Sequence, residues 1–146
     1  MAFKNETELR TFLLAKCKNA LIKSQGQVYQ IVDRFVKEFY AEFSPEMYER
    51  TYQLYRSLVK SEIISTGNGY EAHVYFDLSS IDYVTGSQPS GEQVMQAAEW
   101  GRHGAMGLAV ADFKGTSIWH ESLEVLNAEA INTLKRMLIS EGIPIK

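Results

Sequence analysis

The residue types best suited to chemistry gather in a glycine-rich stretch, Gly101-Arg102-His103-Gly104-Ala105-Met106-Gly107. Glycines expose backbone amides that cradle phosphates in nucleotide sites. This run, however, fits neither Gly-x-x-x-x-Gly-Lys-Ser/Thr nor Gly-x-Gly-x-x-Gly, and it follows a predicted helix rather than a strand. Its plainer reading is a tightly turning segment beside Trp100. His103, between Arg102 and Gly104, is the one histidine placed like a site residue. His73, His103 and His120 show no short metal-ligand spacing, so a metal would need carboxylates such as Glu99 or Asp112 brought in by the fold. Neither a metal nor a cofactor is expected. Cys17 falls on the apolar face of a predicted helix, where a thiol packs rather than reacts. No Gly-x-Ser-x-Gly elbow occurs, and nothing selects one carboxylate pair over another, so no catalytic residue is assigned.

A second cluster lies between Met47 and Leu58, where Tyr48, Tyr52 and Tyr55 alternate with Arg50 and Arg56. Tyrosine and arginine are the residue types that dominate protein interfaces. One reading is a subunit contact through Tyr48, Arg50, Tyr52 and Arg56. The other is a sheet-packing segment whose rings are partly core.

The chain that must hold these groups has 146 residues, 45% of them hydrophobic and 12% aromatic. That is enough for one domain, residues 1–146, with a core that buries roughly 70% of the unfolded surface. A single cysteine excludes a disulfide framework. The net charge of -3 argues against a protein that grips nucleic-acid backbone. No apolar run approaches the roughly 20 residues of a membrane span, and charges punctuate the N-terminus where a signal peptide would be apolar. A soluble domain in a reducing compartment is the expectation. Charge is polarised along the chain: residues 1–60 carry ten Lys/Arg against seven Asp/Glu, and residues 61–146 carry five against eleven. Such polarity suits head-to-tail association.

The elements follow from periodicity and turn chemistry. Asn5 and Glu8 have capping-box spacing, and Leu9, Phe12, Leu13, Cys17, Ala20, Leu21, Val28, Ile31, Val32, Phe35 and Phe39 recur at three- and four-residue steps. Within residues 1–43 one helix is predicted from about Glu6 to Phe43, roughly 57 Å long, with Ser24-Gln25-Gly26 as the place for a bend. A helix of that length cannot bury itself on a globule of this size and needs neighbours. Ser44-Pro45 ends it and starts a short second helix. Within residues 44–118, a β-hairpin of Val59–Ser65 and Tyr70–Leu78 is expected around Thr66-Gly67-Asn68-Gly69, whose residues tolerate positive φ. Residues 79–92 read as an exposed loop, Gln93–Trp100 as two helical turns, and Leu108–Phe113 as a further strand. A closing helix fills 119–143, with an apolar stripe of Leu123, Leu126, Ala130, Ile131, Leu134, Met137 and Leu138, capped by Gly142 ahead of Pro144. The fold class is α+β: a long N-terminal helix, a small antiparallel sheet with a hairpin, and a long C-terminal helix packed on the sheet.

Tyr48-x-Arg50-Thr51-x-x-Leu54-x-x-Ser57-Leu58 resembles the Arg-Thr-Gly-x-Leu-x-x-Ser-type signature of a family of minor structural proteins of tailed bacteriophages, small neck or tail-completion components. The order of elements is similar, with a Tyr-containing loop (Ile81-Asp82-Tyr83-Val84) and a Glu-x-Gly element present as Glu99-Trp100-Gly101. The glycine-rich stretch and the C-terminal third look most like the branch from phages of Gram-positive hosts. Tyr52 stands where many relatives carry glycine. The resemblance implies a non-enzymatic virion protein of the head–tail connector, assembled in the host cytoplasm, with itself as partner in a ring of six or twelve copies. It also implies contacts to head-completion and to tail-tube or tail-terminator proteins. DNA would pass the channel without specific binding, and no membrane is involved. Tyr83, Trp100, Arg102 and His103 join the tyrosine–arginine segment as expected interface residues.

Two other readings compete. A small hydrolase using His103 with Glu99 and Asp112 requires these side chains to converge in a concave pocket. An intracellular adaptor would instead bind a partner helix along the N-terminal helix.

Overall fold

The computed structural model describes residues 2–42, 53–81, 90–100 and 118–146. In chain order it contains α1 (Glu6–Glu42), α2 (Gln53–Ser57), β1 (Leu58–Lys60), β2 (Ile64–Thr66), β3 (Gly69–Glu71), β4 (Val74–Phe76), a 3-10 turn over Leu78–Ser80, α3 (Gly91–Trp100) and α4 (Ile118–Ser140). The class is α+β, as the periodicity predicts. The short helix expected after Ser44-Pro45 and the strand expected over Leu108–Phe113 lie outside the described residues.

The N-terminus of α1 is fixed by its cap. Asn5 Oδ1 accepts the N–H of Glu8 at 2.9 Å, and the Glu8 carboxylate accepts the N–H of Lys4 at 2.9 Å. The first bond satisfies a donor left over by helix geometry, and the second ties the residue before the cap to the first turn. The helix then runs 37 residues, about 55 Å, without a break at Ser24-Gln25-Gly26. Ser24 returns its hydroxyl to the carbonyl of Ala20 at 2.8 Å, a bond that keeps a buried serine inside its own helix.

The β-region is one hairpin interrupted by a bulge. Leu58–Lys60 pair with Val74–Phe76, and Ile64–Thr66 pair with Gly69–Glu71, all antiparallel. Between the two ladders Ser61, Glu62 and Ile63 face only Ala72 and His73, the extra residue of a bulge. The predicted strands were continuous; the bulge divides them because α1 reaches into it. Gln25 Nε2 donates to the carbonyls of both Ser61 and His73, at 3.0 and 2.9 Å. Ser61 closes the bulge by donating its N–H to His73 O and accepting the His73 N–H on its hydroxyl, each at 2.9 Å. At the hairpin tip neither Gly67 nor Gly69 takes a left-handed φ. Ala72, Val74 and Phe76 are half-buried while His73 and Tyr75 are exposed, the alternation expected of a one-sided sheet.

The core sits at the C-terminal half of α1. Val32, Phe35, Val36 and Phe39 meet Leu54, Leu58, Ile81, Ala98 and Ile118 there. In the expected loop 79–92, of which residues 82–89 lie outside the described residues, Ser79 and Ser80 are exposed as predicted but Ile81 is buried. Apolar burial outweighs the turn-forming composition of its neighbours at this point. α3 begins two residues earlier than predicted, at Gly91, because Ser90 caps it. The Ser90 N–H donates to Gln93 Oε1 at 2.9 Å and the Gln93 N–H donates to Ser90 Oγ at 3.3 Å. Among the described residues no helix is long and apolar enough to cross a membrane.

α4 lies antiparallel along α1, its first turn reaching the sheet where Trp119 meets Phe76 edge-on at 5.9 Å. At the other end Glu141 pairs with Lys23 and accepts from Asn19 Nδ2 at 3.3 Å, with Lys16 at 3.7 Å. Gly142, at φ 86°, ends the helix, and the Ile143 N–H donates to Leu138 O at 3.1 Å, closing the expected C-cap.

Candidate functional site

The joint between α3 and α4 is built on Glu99. This residue ends α3 buried at 8% exposure, and its two carboxylate oxygens accept the N–H groups of Trp119 and His120 at 2.7 and 2.9 Å. These amides belong to the first turn of α4, where the helix dipole favours negative charge. Glu99 thus serves as an N-cap supplied from another helix.

Of the residues predicted from sequence as an interface, Tyr48, Arg50, Tyr52, Tyr83, Arg102 and His103 lie outside the described residues. Trp100 is the last residue of α3, and Arg56 is exposed in the last turn of α2. Of the acids and histidine assigned to the hydrolase reading, His103 and Asp112 likewise lie outside the described residues, and Glu99 is the cap just described. His120 is exposed and pairs with Glu124 at 3.5 Å. Among the described residues no group of three or more His, Cys, Asp or Glu side chains could hold a metal ion.

The described part of the tyrosine–arginine segment has a packing role. Leu54 and Ser57 of α2 are buried, as is Leu58 at the start of β1. Ser57 donates its hydroxyl to Leu54 O at 2.7 Å, and its own carbonyl accepts the Asp77 N–H at 2.7 Å. Tyr55 meets Tyr40 edge-on at 6.4 Å, with Lys37 above its ring at 6.0 Å. Lys37 is held by Asp33 at 2.6 Å, a hydrogen bond that raises the ammonium pKa. Burial, then the Asp33 carboxylate, pushes the nearby Tyr29 phenol up.

The surface of the long helices departs furthest from the sequence reading. Cys17 is exposed, not packed. On α4 the expected apolar stripe is only partly used. Leu126, Met137 and Leu138 are half-buried, but Leu123, Ala130, Ile131 and Leu134 face outward. The buried residues of α4 are instead Ile118, Ser122 and Thr133, with Ile118 packed among Val32, Phe35, Val36 and Phe39 of α1. These three positions are rotated by roughly a quarter turn from the apolar stripe, at 100° per residue. The buried hydroxyls are satisfied locally: Ser122 donates to Ile118 O, and Thr133 Oγ1 accepts from Arg136 at 3.2 Å. Ser122 and Thr133 carried no sequence signal of burial, their polar types favouring the surface. Gln25 carried none, since its role depends on a bulge it helps to form.

Residues 5–140 match the YomN family. The chain belongs to the YomN family, a group associated with Bacillus phages and prophages, and is a phage-associated protein. No curated protein and no solved structure matches the chain.

Proposed function

We propose that the protein is a structural subunit of the phage particle, acting at the neck between head and tail or in tail completion, without catalysis. The observation that carries this reading is the overhang of α1. Glu141 at the end of α4 pairs with Lys16, Asn19 and Lys23, so the helix before Lys16 projects past α4 with Leu9 and Leu13 exposed. A helix carried past its own partner is an element shaped to meet another subunit. Family membership supplies the phage setting. The charge polarity of the chain suits head-to-tail contacts, and the net charge of -3 suits a channel through which DNA slides unheld.

In this reading identical subunits form a ring of six or twelve copies. The ring sits in the virion between head-completion and tail-tube or tail-terminator proteins, after assembly in the host cytoplasm. Tyr48, Arg50, Tyr52, Arg56, Tyr83, Trp100, Arg102 and His103 belong to its contacts.

Mass spectrometry of purified particles and electron microscopy of a gene deletion test it. The expected result is the chain in mature particles and, on deletion, unjoined heads and tails. Complete, infectious particles from the deletion strain would remove the reading.

A further inference from the structure

We infer that the projecting first turns of α1 in one copy dock on the outer face of α4 in a second copy, in a head-to-tail contact. The inference rests on the assembly-subunit reading and specifies its surfaces. Leu9 and Leu13, 39% and 38% exposed, continue the side of α1 on which Ala20 and Ser24 are buried. They precede Lys16, Asn19 and Lys23, the α1 residues that Glu141 meets just after the end of α4, so this side of α1 runs on past α4. The complementary feature is on the same chain. Leu123, Ile131 and Leu134 are 41%, 71% and 40% exposed along one flank of α4, spaced to receive a helix.

Charge favours a second copy as the occupant. Residues 2–18 carry four Lys/Arg and two Asp/Glu, whereas residues 118–131 carry three Glu and no Lys/Arg. The positive surface of one copy thus meets the negative surface of the next, which speeds encounter and fixes orientation. Because the two patches differ, the contact is heterologous: each subunit uses both, and association continues until a ring closes or a filament grows.

Sedimentation velocity on the full chain, from micromolar to millimolar and at low and high salt, tests this with Leu13→Asp and Ile131→Asp. Both residues are exposed, and circular dichroism checks that each variant keeps its helices. The wild type is expected to associate, less so in high salt, and each variant to lose association. A mixture of the two variants should form a one-to-one pair and go no further, because one intact overhang and one intact α4 face remain between them. A wild type monomeric at millimolar concentration, a variant that still associates, or a mixture that stays monomeric would each overturn the contact. None of these results bears on whether the chain is present in particles, so this inference and the neck reading fail separately.

Discussion

The carboxylate of Glu99 stands 2.7 Å from the backbone nitrogen of Trp119, joining the end of α3 to the start of α4 across the segment 101–117. Twenty residues apart in sequence, the two are held as a cap and its helix. The joint gives Glu99 a structural purpose that the short Glu99-Trp100-Gly101 motif alone does not reveal.

Loss of this cap should therefore cost stability. Glu99→Ala removes the acceptor for two first-turn amides and is expected to cost about 1–3 kcal/mol. Glu99→Gln keeps an acceptor oxygen but loses the charge facing the helix dipole, costing about 1 kcal/mol. Urea unfolding of the two variants should rank them in that order. Equal stability of Glu99→Ala and wild type would show that the cap contributes nothing.

Gln25 is expected to hold the hairpin to α1. Gln25→Leu keeps the volume but withdraws the donors from the Ser61 and His73 carbonyls, at a cost of about 1–3 kcal/mol. Hydrogen exchange should quicken at Ser61 and His73 while the amides in the middle of α4 stay protected.

Two glycines should respond oppositely to alanine. A Cβ on Gly91 would overlap the carbonyl of Leu78, so Gly91→Ala forces α3 away from the 3-10 turn and should cost about 1–3 kcal/mol. A Cβ on Gly26 meets nothing within 4 Å, so Gly26→Ala should add about 0.5–1 kcal/mol by favouring the helix. Thermal unfolding of the pair reads both signs.

The α4–α1 latch should be pH-dependent. The hydrogen bond from Lys23 holds the Glu141 carboxyl below its usual 4.5. A depressed folded-state pKa means stability that is fully present above the unfolded value and is lost as pH falls through the folded one. The stability difference between wild type and Glu141→Gln should therefore be constant near neutrality and shrink below pH 4.5. A difference that grows on acidification would contradict the latch.

Much of the fold was legible because its signals are local. Asn5 with Glu8 marks where α1 begins, and Gly142 before Pro144 marks where α4 ends, since caps are chosen by the conformations of a few adjacent residues. Alternation at Ala72, Val74 and Phe76 likewise identifies a half-buried strand without knowledge of its neighbours.

Burial was not decided that way. The sequence by itself determined that α4 has an apolar stripe; the tertiary structure decided that Ser122 and Thr133, not Leu123 and Ile131, are buried. Hydrophobicity says which side chains gain from leaving water. It does not say which face fits a given partner, and here the hydroxyls of Ser24 and Ser122 can be buried because each donates to a carbonyl of its own helix. The bulge at Ser61–Ile63, the capping by Glu99 and the exposure of Cys17 follow the same logic. Each depends on what stands opposite a residue in space, and only the folded chain supplies that.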